Sequence, residues 1–233
     1  MAEMIRENLE KIKRNIEKAC EGCGRKSDDI FFIAVTKTHP PEMINEAIDC
    51  GVTDIGENKV QEILEKYDKV NKDVRWHLIG HLQTNKVKYI IDKVCMIHSV
   101  DSVKLMDEIE RQAEKHDTSM DILIQVNISG EKTKSGIAPD ELDILLEHAA
   151  ELKHVKVRGL MTIGGKYYDE VTNRLFFNNI YDIFIDKRAK KYDNVSMDYL
   201  SMGMSGDYEL AISCGSNMVR IGSALFGKRF YDI

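Results

Sequence analysis

A lysine closes an apolar stretch in AVTKTHP (34–40). Ile33, Ala34 and Val35 read as the end of a buried strand, so the amine of Lys37 sits where a charge is costly. An amine aimed into a dry pocket has a lowered pKa, and the neutral amine is the form that attacks an aldehyde. Two plainer readings stay open: the amine snorkels to solvent, or it pairs with Glu57. A second group of residues suits an anion. SMGMSGD (201–207) and GSA (222–224) bring glycines together with the hydroxyls of Ser201, Ser205 and Ser223. Glycines let backbone N–H groups approach a phosphate closely, although small residues also serve tight packing. Arg220 stands two residues before Gly222 and so shares its face on a strand. A buried guanidinium needs an acceptor, either a heteroaromatic nitrogen or a carboxylate. An amine, an anion cradle and an arginine between them suit pyridoxal 5′-phosphate (PLP). An arginine facing the ring nitrogen leaves that nitrogen unprotonated, which makes the ring a weaker electron sink.

These residues must be placed by regular elements. Ile5, Leu9, Ile12, Ile16 and Cys20 recur at helical spacing, which predicts a helix over 1–20. Strands are expected over 30–37, 53–57, 75–80, 95–100, 121–128, 155–163, 198–204 and 218–226. Helices are expected between them over 41–50, 59–67, 84–91, 103–115, 139–152, 170–190 and 207–214. In the helix over 59–67, Val60, Ile63, Leu64 and Tyr67 are expected to face inward. Alternation with short connections predicts parallel strands, and eight such units predict a closed (β/α)8 barrel. An open doubly wound sheet is the alternative. The eighth helix is expected to be absent or minimal, with the N-terminal segment, residues 1–24, filling that part of the outer ring. In such a barrel the chemistry lies at the C-terminal strand ends, where Lys37, Asn58, Asn127, Ser201 and Arg220 fall.

The bulk composition narrows the classes. The 233 residues carry a net charge of −6, which argues against charge-driven binding to nucleic acid or acidic membranes. No apolar run approaches the length of a membrane span, and the charged N-terminus has no signal-peptide core. Five cysteines form no regular framework, so a reducing, cytoplasmic location is expected. With no Pro- or Gly-rich linker, residues 1–233 are expected to form one domain.

The motifs AVTKTHP (34–40), DIGENKVQE (54–62), RWHLIGHLQTNK (75–86), IHSVDS (97–102), GLMTIG (159–164), LSMGMSGDYELAI (200–212) and NMVRIGSALFG (217–227) resemble the YggS/PROSC family of pyridoxal phosphate homeostasis proteins. The likeness runs from residue 5 to 228. It implies a single barrel of the alanine racemase N-terminal type. It also implies that Lys37 holds PLP as a Schiff base, with Asn58 beside it. Ser201, Gly222 and Ser223 stand at the family's phosphate-binding positions, with Ser205 alongside, and Arg220 stands where the family faces the pyridine nitrogen. Many members have threonine where this chain has Ser223, which keeps the hydroxyl. The resemblance further implies a cofactor carrier rather than a catalyst, binding PLP and other B6 vitamers, with apo PLP-dependent enzymes as recipients. Related racemases add a second domain, and a partner's tyrosine serves as second base. That domain is expected to be absent here, so a monomer without a catalytic residue of its own is expected. A PLP-dependent amino-acid racemase of fold type III is the alternative. A sugar-phosphate barrel enzyme using Lys37 is a third reading.

Other features point to little chemistry. Cys20 and Cys23 form a CxxC pair without a second pair at zinc spacing, and His77 and His81 lack a third ligand, so no metal is expected. The loop SGEKTKSG (129–136) brings Lys132 and Lys134 to the barrel mouth, as an exposed turn or a lid.

Overall fold

A computed structural model describes residues 2–227 apart from 72, 132, 166 and 167, so Lys132 lies outside the described residues. Eight parallel strands close in sequential order: β1 (Phe31–Val35), β2 (Asp54–Glu57), β3 (Arg75–Leu78), β4 (Met96–Val100), β5 (Met120–Gln125), β6 (Val155–Met161), β7 (Val195–Ser201) and β8 (Met218–Ile221). β1 pairs with both β2 and β8, which completes the ring. The open-sheet alternative is therefore set aside. The helices are α1 (Ala2–Gly22), α2 (Pro41–Asp49), α3 (Val60–Lys66), α4 (Val103–Lys115), α5 (Leu142–Ala150), α6 (Glu170–Ala189), α7 (Tyr208–Ser213) and the single turn α8 (Ser223–Phe226).

The apolar stripe of α1 buries Ile5, Leu9, Ile12, Ile16 and Cys20. Burying a large aliphatic side chain is worth roughly 1.5–3 kcal/mol, so this face holds the helix against the barrel. It packs on α2, α7 and α8. Asn8 donates to the Leu225 carbonyl at 2.9 Å and Asn15 to the Tyr208 hydroxyl at 2.9 Å. Thus α1 occupies the outer-ring place that the minimal α8 leaves.

Several boundaries differ from expectation, each for a local reason. β7 spans 195–201 rather than 198–204, because Gly203 takes φ +96° and turns the chain away. β8 stops at Ile221, and 223–226 coil into a turn of helix instead of extending the strand. The Ser205 hydroxyl accepts the N–H groups of Gly222 and Ala224 there, which satisfies donors that a strand would have used in a ladder. The segment expected as a helix over 84–91 is a 3₁₀ helix, Thr84–Tyr89.

Two apolar layers result. The larger lies between sheet and helices. The smaller fills the barrel interior with Ile33, Met96, Leu123, Met161 and Met218. Buried polar side chains, among them His77, His98, Ser201 and Arg220, lie alongside it toward the mouth.

Candidate functional site at the barrel mouth

Lys37 follows β1 in a tight turn in which the His39 N–H returns to the Thr36 carbonyl at 3.1 Å. The next residue, Thr38, has φ +68°, a left-handed conformation that costs a β-branched residue about 1–3 kcal/mol. The turn is clamped from below. Glu62 accepts the Thr38 N–H at 2.6 Å, and Lys66 donates to the Thr36 carbonyl at 3.1 Å. The same Lys66 amine binds Glu57 at 2.8 Å and Glu62 at 2.8 Å. The Glu57 carboxylate, fully buried, also accepts the Thr36 hydroxyl at 2.7 Å. Burial raises the Glu57 pKa above the usual glutamate value, and Lys66 opposes the rise. Sequence reasoning placed Leu64 inward on α3. Instead Leu64 is exposed and Lys66 buried, since the face toward Glu57 must supply a cation. The spacing Glu62-x-x-x-Lys66 was the available signal.

Asn58 is set by a close backbone approach. A Cβ at Gly80 would stand 2.3 Å from the Asn58 carbonyl oxygen, so only glycine lets the ends of β2 and β3 meet in this way. The Gly80 carbonyl is in turn held by the Ser99 hydroxyl at 2.6 Å.

Beside the Lys37 strand, which pairs with β8, the two glycine-serine loops come together. Ser205 receives Gly222 N–H at 3.1 Å and Ala224 N–H at 3.2 Å. Asp207 folds the first loop back by accepting the Met204 N–H at 2.6 Å. The Arg220 N–H donates to the Gly203 carbonyl at 3.0 Å, which joins β8 to the same loop.

Arg220, on β8, has only 4 % of its surface exposed. Its NH1 donates to the Ser201 hydroxyl at 2.6 Å and its NH2 to the Thr162 carbonyl at 2.9 Å. Among the described residues no carboxylate stands within ion-pair distance of it. Burial lowers its pKa to about 10, with Asp207 opposing the shift from a distance. Ser201 is thus a support for Arg220 inside the barrel, and it is not on the wall of the mouth.

The mouth is a cavity of about 620 Å³. It brings together Lys37, Asn58, Ser205, Arg220, Gly222 and Ser223, so six of the seven sequence-predicted residues line one space and Ser201 lies beneath it. Val35, Ile79, Ile163 and Met204 give it apolar walls that could sandwich a planar ring. Thr133, Lys134 and Ser135 close it from the β5 side. Asn127, expected at the site, instead ties this loop down by donating to the carbonyls of Glu131 and Lys134. Gln125 reaches the mouth because β5 ends there rather than at 128, and Ile163 because it lies just past the end of β6. A larger hollow of about 700 Å³ beside α1 and α6 shares Ser205 and Gly206, but neither Lys37 nor Arg220 lines it.

The weaker motifs separate in space. Cys20 is buried on the apolar face of α1, and Cys23 is exposed. His77 is buried inside the barrel, while His81 lines the mouth. Among the described residues no three His, Cys, Asp or Glu side chains cluster as metal ligands. No helix among them is long and apolar enough to cross a membrane.

The closed ring of parallel strands, with its polar side chains gathered at the C-terminal mouth, defines a (β/α)8 barrel of the alanine racemase N-terminal kind. The family model "Alanine racemase, N-terminal domain" matches residues 8–229. A pyridoxal phosphate homeostasis protein of Aquifex aeolicus is 45% identical over 97% of this chain and 98% of its own. A crystal structure of a Bifidobacterium adolescentis protein superposes with a TM-score of 0.92, at 34% identity over 97% of this chain and 95% of that one. PipY of Synechococcus elongatus, solved with PLP bound, superposes with a TM-score of 0.84, at 30% identity over 96% of this chain and 100% of that one. The chain belongs to the alanine racemase N-terminal-domain family and, within it, to the pyridoxal phosphate homeostasis proteins.

Proposed function

We propose that this protein binds PLP at the barrel mouth and serves intracellular PLP homeostasis, holding the cofactor and handing it on. One observation carries the reading. Lys37, the Ser205–Gly222–Ser223 cradle on the neighbouring strand end, and a buried arginine with no carboxylate partner among the described residues line one cavity. These residues fit the cofactor at each of its three polar points. The cradle offers the hydroxyls of Ser205 and Ser223 to a phosphate, with the Gly222 and Ala224 N–H groups holding Ser205 in place. Arg220 offers a donor to a ring nitrogen, and Lys37 offers an amine to an aldehyde. When bound, PLP supplies that aldehyde and an electron-withdrawing ring. Asn58 lines the same cavity as Lys37, and Ser201 holds Arg220 through its hydroxyl.

The non-catalytic reading rests on the remaining ionisable groups of the cavity. Two-base racemisation needs a group on each face of the substrate. The Lys134 amine is engaged by Glu131 and Ser129, and His81 stands 3.7 Å from Asp101. No tyrosine, cysteine or carboxylate is among the described lining residues. The same cradle would take other phosphorylated B6 vitamers, without the covalent link where the aldehyde is absent. Apo PLP-dependent enzymes are the recipients this role requires, and we place the protein in the cytoplasm as a monomer.

The test is an absorbance spectrum of PLP-loaded protein before and after borohydride, followed by peptide mapping. The reduced adduct is expected on Lys37. Lys37→Ala is expected to fold normally and to yield no reducible adduct; full stoichiometric labelling of that variant would place the attachment elsewhere. Sustained inversion of single L-amino acids by the wild-type protein would sink the non-catalytic reading.

A further inference from the structure

A line of buried polar side chains runs through the barrel, from its N-terminal end to Arg220. Asp54, His77, His98, Ser201 and Arg220 come from β2, β3, β4, β7 and β8, and all are buried. Asp54 Oδ1 stands 2.9 Å from His77 Nε2, and His77 Nδ1 stands 3.0 Å from His98 Nε2. His98 Nδ1 stands 3.3 Å from the Ser201 hydroxyl, which accepts from Arg220. An interior polar chain of this kind is stable only if every member is satisfied.

Its two ends dictate the direction of every link. Arginine can only donate, so the Ser201 oxygen accepts and its own O–H must point elsewhere. The available acceptor is His98 Nδ1, which must then carry no proton. The His98 proton therefore lies on Nε2 and is donated to His77 Nδ1. That leaves the His77 proton on Nε2, where Asp54 accepts it. Asp54 is fit for this end. Burial disfavours its charge, but hydrogen bonds from His77, Arg75 and Thr53 outweigh that and bring its pKa to about 2. His98 is held neutral by burial first, then by His77 and Arg220. The Cys95 sulfur also stands 3.4 Å from His77 Nε2.

We propose that Asp54, His77, His98 and Ser201 are positioning residues: a one-way hydrogen-bond relay that locks the orientation in which Arg220 meets the ring nitrogen of its ligand. This rests on the reading of the mouth as a PLP site. Ser201 and Thr162 engage NH1 and NH2, so the guanidinium cannot rotate without breaking the relay.

Nitrogen-15 NMR of the PLP-free protein tests the relay by itself. His77 and His98 are both expected as Nε2–H tautomers with bare Nδ1, and a through-bond ¹⁵N–¹⁵N coupling should join His98 Nε2 to His77 Nδ1. A proton on Nδ1 of either ring overturns the proposal. In a second measurement, Ser201→Ala and Asp54→Asn are each expected to weaken PLP binding, the former about tenfold, as expected for one lost hydrogen bond to a charged group. Arg75→Met removes the exposed partner of Asp54 and leaves the relay whole, so its affinity should stay near wild type. Equal losses in Arg75→Met and Asp54→Asn would mean a merely structural role and would overturn the relay. If variants fail to fold, the wild-type tautomers decide. If wild-type protein takes up no PLP, the reading of the mouth fails, and the tautomers judge the relay alone.

Discussion

Replacing Lys66 with methionine tests how the Lys37 turn is held. The variant keeps the stem volume and deletes the amine. It strands the Glu57 carboxylate, which is fully buried and whose Oε2 has no hydrogen-bond partner among the described residues. It also frees the Thr36 carbonyl and leaves Glu62 to hold Thr38 without its counter-ion. Removing one partner of a buried pair costs about 3–5 kcal/mol, and the pair here is enclosed, with side-chain exposures of 9% for Lys66 and 0% for Glu57. At this chain length, 3 kcal/mol corresponds to a fall in Tm of about 6–12 °C. The sign of the pH dependence follows from Glu57. Its folded pKa is already raised by burial, and losing Lys66 removes what opposes the rise. A carboxyl with a raised folded pKa binds more protons folded than unfolded, so its stabilising contribution is present below the ordinary value and is lost as pH rises through the folded one. The deficit of Lys66→Met should therefore be large at about pH 8 and shrink toward about pH 5. Urea unfolding at both pH values reads this, and adding Glu57→Gln should recover most of the loss at the higher pH. A deficit under about 1 kcal/mol, unchanged with pH and not relieved by Glu57→Gln, would refute the idea of a charged clamp beneath Lys37.

Two further outcomes follow from single contacts. Gly80→Ala puts a methyl 2.3 Å from the backbone oxygen of Asn58, so it should cost about 1–3 kcal/mol in thermal unfolding and lower PLP uptake by displacing Asn58. Asp54 has its pKa lowered from 3.8 to about 2, so its contribution of about 2 kcal/mol is present above 3.8 and lost as pH falls toward 2. In Asp54→Asn that part of the acid sensitivity should vanish, and an acid-unfolding curve as steep as wild type below pH 3.8 would contradict it.

The parts of this molecule that were legible in its sequence obey short-range periodicity. The α1 stripe and the eight alternating strands follow from residue spacing, and the mouth residues follow from lying at strand ends. What sequence hid depends on contacts between distant strands. Asp54, His77 and His98 stand at alternate strand positions, and polar residues there usually mark a solvated face. In a closed barrel the second face is the lumen, so the same alternation hides a buried network instead of announcing a wet surface. Ser201 fits a cradle by type, and its position on β7 turns its hydroxyl inward to Arg220. Ser205 lies past the strand end, where the chain can turn across to Gly222 and Ala224. The Leu64–Lys66 exchange on α3 repeats the lesson in the outer layer. Apolar periodicity alone turned Leu64 inward, but a buried carboxylate on β2 demands a cation more strongly than a helix face demands one more leucine. Where a barrel strand places an acid on either of its buried faces, the partner is therefore best sought on whichever element packs against that face, before the apolar pattern of that element is trusted.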